Sequence, residues 1–387
     1  MLLRMVVLIC SLGFAVPSAC FAEPQATVVC PPEASVQETL AAKEIRRYVY
    51  LRTGKLLPIV ETSAGDAIVV ARKNRQIVGR LDDAQLKATI DALQPQQYVL
   101  KTITDGNSRI VLLIDGGDIG TLYGAYRFIE HLGVRFFMHG DAIPDKQITL
   151  KLPELDETGK PLFALRGVNP WGSHPFGFDA WNADQYKAHF AQLAKMRMNF
   201  LGIHCYHEPK AEPTVWMGLD GDFDEKGRVK SSYPSRYYNT ALRGPWGPML
   251  PNKTGGYLHG GSLLFESDDW GPDVMGDYLP TPTTPEACND VFNRTGEQFR
   301  EAFSFARLVG VKTCIGTEAP ITMPKALKDR LKAQGKDPTD PAVVQEVYEA
   351  MFRRIAKTHP LDYYWLWTDE GWTWKDNTDG QLKAVMD

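Results

Sequence analysis

The chain contains 387 residues, of which 44% are hydrophobic and 23% charged, a composition typical of globular proteins and sufficient for two domains. Its formal net charge of −4 excludes the strongly basic character of nucleic-acid-binding and anionic-membrane-binding proteins. We therefore predict no nucleic-acid partner and no membrane partner. The first tryptophan is Trp171, and this change of composition places a domain boundary near residue 160.

Residues 1–22 have the pattern of a secretory signal peptide. The segment contains one arginine, an apolar stretch and then small residues, and the predicted cleavage follows Ala22. A membrane-spanning anchor is less favoured, because Pro17 interrupts a short apolar run. A lipid anchor on Cys20, as in a lipoprotein, is the alternative. The mature protein is therefore expected to be secreted or periplasmic.

Residues 23–150 are predicted to form an α+β domain. Ser35 and Glu38 form a capping box that opens its first helix, and Gly54 closes that helix. Two apolar runs joined through Asp105-Gly106-Asn107 predict a β-hairpin. The predicted elements in chain order are a strand at 26–32, the first helix at 38–54, a strand at 67–74, a helix at 82–93, the hairpin at 97–115 and a helix at 121–133.

Gly117, Gly120 and Gly124 lie between a strand and a helix, as the glycines of a dinucleotide-binding loop do. Their spacing is GxxGxxxG rather than GxGxxG, and the preceding strand belongs to a hairpin rather than to a βαβ unit. We therefore expect a tight turn with close helix packing at this position, and no nucleotide cofactor.

Residues 151–161 are predicted to be a polar linker, and residues 162–387 alternate between strand and helix patterns. The predicted elements are a strand at 163–169, a helix at 183–198, a strand at 199–206, a helix at 285–310, a strand at 311–318, a helix at 342–358 and a strand at 362–370. Such alternation implies a parallel sheet. The expected fold class is α/β, a (β/α)8 TIM-type barrel of which about the first four units are present.

Polar and ionisable residues follow all four predicted barrel strands. They are Arg166 and Asn169 at the first strand, His204, Tyr206 and Glu208 at the second, Glu318 at the third and Asp369-Glu370 at the fourth. Because function in parallel sheets lies at the carboxyl ends of the strands, these residues are expected to converge on one pocket.

Four tryptophans flank the acidic pair of the fourth strand. Trp365 and Trp367 occupy alternate strand positions, so residues of this strand divide between the barrel interior and the helices. Trp372 and Trp374 lie past the strand end and are the better candidates for contact with the apolar face of a sugar. The predicted partner is therefore a carbohydrate.

Glycoside cleavage requires an acid that protonates the leaving oxygen. Desolvation and like charge raise the pKa of a carboxyl group that lies beside another carboxylate among aromatic rings. Our hypothesis is that Glu370 is this general acid.

Cysteine and histidine spacings predict neither a disulfide scaffold nor a metal site. Outside the signal peptide the cysteines are Cys30, Cys205, Cys288 and Cys314, too few for a disulfide scaffold in a chain of this length. No CxxC pair is present, and His204 and His207 lack the spacing of a zincin helix. Asp220, Asp222 and Asp224 alternate as in an EF-hand loop, but Glu225 stands where that loop requires glycine. We predict no metal here, and a turn in the acidic segment.

Several motifs resemble those of the β-hexosaminidases of glycoside hydrolase family 20. FALRG at 163–167 resembles their first barrel strand, and KMRMNFLGIH at 195–204 resembles their second. Glu318 and the Asp369-Glu370 pair match the ends of the third and fourth strands. The resemblance implies that Glu370 is the acid/base and that Asp369 orients a 2-acetamido group, which is the nucleophile. It also implies substrate binding by Arg166, together with His204 and Glu318.

The N-terminal domain is similar to the domain that precedes both the hexosaminidase barrels and the α-glucuronidases, so it does not decide between them. The family's H-x-G-G before the acidic pair is replaced by residues 365–368, and the residues after its first strand by 169–172. We therefore predict a secreted glycosidase acting on terminal sugars of oligo- or polysaccharides. An α-glucuronidase-like hydrolase and an inactive carbohydrate-binding barrel are the alternatives. Because eight strands need about 250 residues, we expect a fragment of a longer product.

Overall fold

The computed structural model describes residues 26–117, 119–169, 182–205, 216–231, 284–319 and 323–368. They form two main β-sheets, each flanked by helices, and the fold class is α/β as predicted. The signal peptide and Cys20 lie outside the described residues. Among the described residues, no helix combines the length and the apolar character that a membrane crossing requires.

Among the described residues the first sheet has six strands, and a separate two-stranded hairpin lies between its last two strands in the chain. The strands of this half are β1 (Thr27–Val29), β2 (Ile59–Val60), β3 (Ala67–Arg72), β4 (Tyr98–Asp105), β5 (Ser108–Asp115), β6 (Arg135–Phe137), β7 (Gly140–Ala142) and β8 (Asp156–Gly159). The sheet order is β2-β1-β3-β5-β4-β8, while β6 pairs with β7. Strands β1, β2, β3 and β5 are parallel, and β4 is antiparallel to both of its neighbours.

Helices cover both faces of the first sheet. They are α1 (Val36–Thr53), α2 (Gln76–Gly79), α3 (Ala84–Asp91) and α4 (Gly120–His131). Alternate strand residues supply the two cores: Ile68 and Val70 pack with α1 and α4, whereas Val69 and Ala71 pack with α2 and α3. Burial on both faces explains why β3 is a continuous apolar run rather than an alternating one.

The start and end of α1 confirm the sequence prediction. The Ser35 side chain accepts a hydrogen bond from the Glu38 backbone N–H, and the Glu38 carboxylate accepts one from the Ser35 N–H. Gly54 ends the helix in the left-handed conformation, with φ +70°. The predicted hairpin is also confirmed, since β4 and β5 pair through Asp105 and Ser108.

The glycine loop packs tightly, as predicted. A Cβ on Gly124 would lie 3.0 Å from the side chain of Leu113 in β5, so the absence of a side chain lets α4 approach the sheet. The segment 151–161, predicted to be a linker, is in part a strand, because its residues 156–159 form β8 and pair with β4. The polar sequence of β8 suits an edge strand whose side chains are mostly exposed.

Within the described ranges the second sheet has four strands, all parallel, in the order β9-β10-β11-β12. The elements are β9 (Gly167–Val168), α5 (Ala183–Lys195), β10 (Phe200–Cys205), α6 (Pro285–Leu308), β11 (Lys312–Ala319), α7 (Lys325–Ala333), α8 (Pro341–Thr358) and β12 (Tyr363–Thr368). Strand β9 is much shorter than the predicted strand at 163–169. Leu162 and Phe163 are 86% and 64% exposed, so the chain joins the sheet only at Gly167. Helix α7 was not predicted.

Each strand of this sheet lies next to its neighbour in the chain. This order agrees with the start of a β/α barrel, whereas a doubly wound sheet reverses its strand order. Four strands do not close a barrel, so the (β/α)8 closure stays a prediction.

The two halves share a continuous apolar core and a polar contact. The Lys195 ammonium at the end of α5 lies 2.8 Å from the Asp141 carboxylate in β7, which also accepts a hydrogen bond from Tyr48. Gln192 donates to the same carboxylate and to the Phe137 carbonyl. Burial alone would raise the pKa of Asp141, but the bonds from Lys195 and Tyr48 outweigh it and lower that pKa.

Candidate functional site

The register of the second sheet divides its residues between two faces. Leu201, Ile203 and Ile315 are buried in the core formed with the helices. The alternate positions belong to the opposite face, which in a barrel is the interior. Cα pairing aligns Gly202 with Cys314 and Tyr363, and the next inner positions follow two residues later.

Two of the predicted site positions, His204 and Glu318, belong to this inner set. His204 pairs with Gly316, which pairs with Trp365, and Glu318 pairs with Trp367. Glu318 is thus one strand across and two residues beyond His204. From strand spacing and rise, their Cα atoms are about 8 Å apart, a separation that a sugar ring can bridge. The backbone therefore brings these two predicted residues to one region at the carboxyl end of the sheet.

Two glycines open space on the inner face. A Cβ on Gly202 would lie 2.5 Å from the amide oxygen of Asn169, and a Cβ on Gly316 would overlap the indole of Trp365. Each glycine therefore admits a larger side chain from the neighbouring strand. The Trp365 Nε1–H lies 3.5 Å from the carbonyl oxygen of Ile203, which orients the indole across the sheet.

Trp365 is an inner-face residue that the sequence pattern alone does not distinguish. The pattern shows it only as one of two alternating tryptophans and favours Trp372 and Trp374 as sugar contacts. The available signal was Gly316, an inner position without a side chain on the adjacent strand. The predicted alternation itself is confirmed, because Tyr364 contacts Phe352 of α8 on the helix side, with ring centroids 5.0 Å apart.

Cys314 occupies an inner position of the second sheet, but its thiol is unreactive. Its side chain is buried, and burial raises the pKa of the thiol to about 11. The thiolate is the nucleophilic form of cysteine, so this thiol is protonated and unreactive at neutral pH. Cys314 is therefore a buried packing residue of the second sheet.

Arg166 lies at the opposite, N-terminal end of the strands. Its Nη1 donates to Gln96 Oε1 at 2.9 Å, its Nε donates to the Arg197 carbonyl at 3.0 Å, and its guanidinium lies 5.5 Å from the ring of Tyr123. These contacts connect the first half of the chain to the second. These described contacts give Arg166 a packing role. Its predicted sugar-binding role stays a prediction.

The Arg166 junction, formed by Arg166, Gln96 and Arg197, contains the two described non-glycine residues with a left-handed backbone. Gln96 has φ +67° and Arg197 has φ +60°. Such conformations persist only where surrounding contacts hold them. Asn199 adds one contact by donating to Gln96 Oε1 at 3.1 Å. These contacts therefore fix the junction at the N-terminal end of the second sheet.

Four predicted site residues, Asp369, Glu370, Trp372 and Trp374, lie outside the described residues. His204 and Glu318 are located through their strands. The roles predicted for all six stay predictions.

The acidic segment at 220–225 forms the expected turn. Asp224 accepts hydrogen bonds from the backbone N–H groups of Arg228 and Lys226, both at 2.9 Å. The Arg228 N–H is the main cause of the lowered pKa of Asp224. The Asp222 carboxylate pairs with Arg330 at 2.7 Å. In the part of the chain that the structure describes, no three His, Cys, Asp or Glu side chains are grouped for a metal ion.

Comparisons with known proteins find similarity among solved structures. Neither a protein-family model nor a curated protein sequence matches the chain. The similar solved structures include hexosaminidases and other glycoside hydrolases. A GH138 enzyme targeting pectin rhamnogalacturonan II is 12% identical with a TM-score of 0.44, covering 89% of this chain and 30% of that chain.

Two further similar structures come from Streptomyces. A mutant beta-hexosaminidase of Streptomyces plicatus in complex with the product GlcNAc is 13% identical with a TM-score of 0.42, covering 87% of this chain and 54% of that chain. The GH20 beta-N-acetylhexosaminidase of Streptomyces coelicolor is 12% identical with a TM-score of 0.43, covering 88% and 54%. This chain therefore spans about half, or less, of the length of these proteins.

Proposed function

We propose that this chain belongs to a secreted glycoside hydrolase that releases terminal sugars from oligo- or polysaccharides, with hexosaminidase-like chemistry. The observation that carries the proposal is the second sheet. Its four parallel strands follow one another in chain order, and His204 and Glu318 occupy inner positions at the carboxyl ends of two of them. Parallel β/α units place substrate-binding groups at this end.

In the proposed mechanism Glu370 protonates the leaving oxygen of the glycosidic bond. Asp369, the adjacent carboxylate, orients the 2-acetamido group of the substrate, whose carbonyl oxygen attacks the anomeric carbon as the leaving group departs. Water then opens the resulting cyclic intermediate, with Glu370 acting as the base. Trp365 and Asn169 support this assignment, because they give the inner face an aromatic surface and an amide.

The test compares two aryl N-acetyl-β-glucosaminides that differ in the acidity of the leaving phenol. Glu370→Gln should lower kcat by roughly 10²–10⁴-fold for the less acidic phenol, a range typical of general acid catalysis. The loss should be much smaller for a dinitrophenyl leaving group, which departs without protonation. An equal loss for both substrates would contradict the role of Glu370 as an acid.

The same assay separates the alternatives. Cleavage of aryl glucuronides alone would contradict the acetamido mechanism and the role of Asp369, and would favour an α-glucuronidase-like hydrolase. Sugar binding without turnover of either substrate class would favour a carbohydrate-binding barrel. The assay uses the longest natural form of the protein. The same protein without the predicted signal peptide is the matched preparation.

A further inference from the structure

Side chains occupy the inner face of the second sheet from its N-terminal end onward. Phe200 and Tyr363 lie there with ring centroids 6.2 Å apart. Beside them, Cys314 is buried and pairs with Gly202, over which the Asn169 side chain lies. These residues leave the part of the inner face nearer the carboxyl ends of the strands as the place for a ligand.

Trp365 occupies the next inner position. A Cβ on Gly316 would overlap the five-membered ring of the indole, so this ring takes the space of the missing side chain on β11. The Trp365 Nε1–H lies 3.5 Å from the carbonyl oxygen of Ile203 on β10. The indole thus reaches from β12 across β11 to β10, one inner position beyond Cys314.

The position of Trp365 along the sheet brings it close to the proposed site residues. Glu318 is two residues beyond Gly316 on β11, which corresponds to about 7 Å along the strand. Strand β12 continues from Trp365 to Thr368, and the proposed acidic pair Asp369-Glu370 follows directly in the sequence. The Trp365 side chain is partly exposed, so part of it is accessible to a ligand.

The pairing of glycine with tryptophan distinguishes this inner position from ordinary packing. Barrel interiors are filled mainly by valine, isoleucine and leucine, which supply apolar volume. Here Gly316 supplies no volume, and Trp365 on the adjacent strand places an aromatic ring over it. Aromatic rings in sugar sites contact the apolar ring faces, whereas carboxylates and amides bind the hydroxyl groups. The indole therefore suits the ring face of a pyranose.

We propose that Trp365 is the floor of the sugar-binding pocket and that the terminal sugar packs its apolar ring face on the indole. The proposal rests on the proposed function in taking a sugar as the ligand, but it does not depend on Glu370 acting as the acid. Trp365 contacts the sugar and takes no part in proton transfer. Such a contact is equal in the ground state and the transition state, so its loss raises KM and leaves kcat nearly unchanged.

The first test uses the longest natural form of the protein, labelled with fluorotryptophan, and N-acetylglucosamine, which binds without turnover. Trp365→Phe identifies the fluorine resonance of Trp365, and Trp216→Phe identifies that of the control residue Trp216. This control is 1% exposed and packs among Phe223, Phe292 of α6 and Ala350 of α8, not on the inner face. The sugar should shift the Trp365 resonance and leave the Trp216 resonance in place.

Calorimetry then measures the affinity of the variants for the same sugar. Trp365→Leu keeps apolar volume but removes the ring, and should weaken binding about tenfold. Trp365→Phe keeps an aromatic face and should weaken binding by less than about threefold. Trp216→Phe should bind as the wild type does. With an aryl N-acetyl-β-glucosaminide, Trp365→Leu should raise KM about tenfold while kcat changes by less than about threefold.

The proposal would be overturned by an unshifted Trp365 resonance, by equal weakening in Trp365→Leu and Trp216→Phe, or by a folded Trp365→Leu variant that binds as tightly as the wild type. If Trp365→Leu does not fold, the resonance shift in the wild-type protein decides. Failure of the proposed acid gives a different result. A shifted Trp365 resonance, together with equal losses of Glu370→Gln on both aryl leaving groups, would support the floor and contradict the acid.

Discussion

The stability of the first half of the chain depends on the buried carboxylate of Glu38. It is fully buried and accepts hydrogen bonds from the Ser35 and Arg72 backbone N–H groups at 2.7 and 2.8 Å. The Arg75 guanidinium approaches it at 2.9 and 2.5 Å. Glu38→Gln keeps the shape of the side chain but removes the charge that these donors stabilise.

The magnitude follows from the pKa of Glu38. Burial alone would raise this pKa, but the bonds from Arg75 and from the backbone outweigh it and lower the pKa from 4.5 to about 2. This difference corresponds to about 3 kcal/mol of stabilisation at neutral pH. Because the folded-state pKa is the lower one, the stabilisation is fully present above pH 4.5 and is lost as the pH falls through about 2.

The assay is urea unfolding of the wild type and of Glu38→Gln at pH 7 and pH 3. The variant should be less stable by about 3 kcal/mol at pH 7, and the difference should shrink to about 1.5 kcal/mol at pH 3. Glu33→Gln, a substitution of an exposed carboxylate just before the same helix, should change stability by less than about 0.5 kcal/mol. A difference for Glu38→Gln that stays constant between the two pH values would refute the linkage argument.

Other substitutions test the inner face, the junction and a second buried carboxylate. Gly316→Ala should displace the indole of Trp365, lowering the unfolding free energy by about 1–3 kcal/mol and changing tryptophan fluorescence, whereas Gly221→Ala, where a Cβ meets open space, should do neither. Arg166→Met should lower the unfolding free energy by about 2 kcal/mol, because the junction contacts are lost. An unchanged unfolding free energy would argue that Arg166 serves only in substrate binding. Burial raises the pKa of Asp115 from 3.8 to about 6, so stability is lost as the pH rises through about 6. Asp115→Asn should therefore gain up to about 3 kcal/mol on the wild type between pH 4 and pH 7, as measured by urea unfolding.

Features that depend on nearby residues were predictable from the sequence. The capping box and Gly54 bounded α1, because helix ends are satisfied by side chains within one turn. The hairpin of β4 and β5 followed from its turn residues. The alternation of strands and helices after residue 162 implied a parallel sheet, and the sheet has four parallel strands.

Features that depend on distant residues required the tertiary structure. A polar stretch at 156–159 became a strand only because the edge of β4 was available to pair with it. Helix α7 has an exposed, strongly polar sequence with Leu327 and Leu331 as its buried residues, so its apolar pattern is weak. The predicted strand at 163–169 shortened to β9 because its apolar residues Phe163 and Leu165 stay exposed, at 64% and 43%, rather than packing on the sheet.

The same difference between nearby and distant residues applies to the candidate site. The sequence by itself placed His204 and Glu318 at strand ends, because strand patterns and chain order determine which residues reach one edge of a parallel sheet. Only the tertiary structure decided that Arg166 contacts Gln96, 70 residues away, and that Trp365 lies against Ile203, 162 residues away. The physical reason is that packing joins residues distant in the chain, and local sequence patterns contain no information on which of them meet.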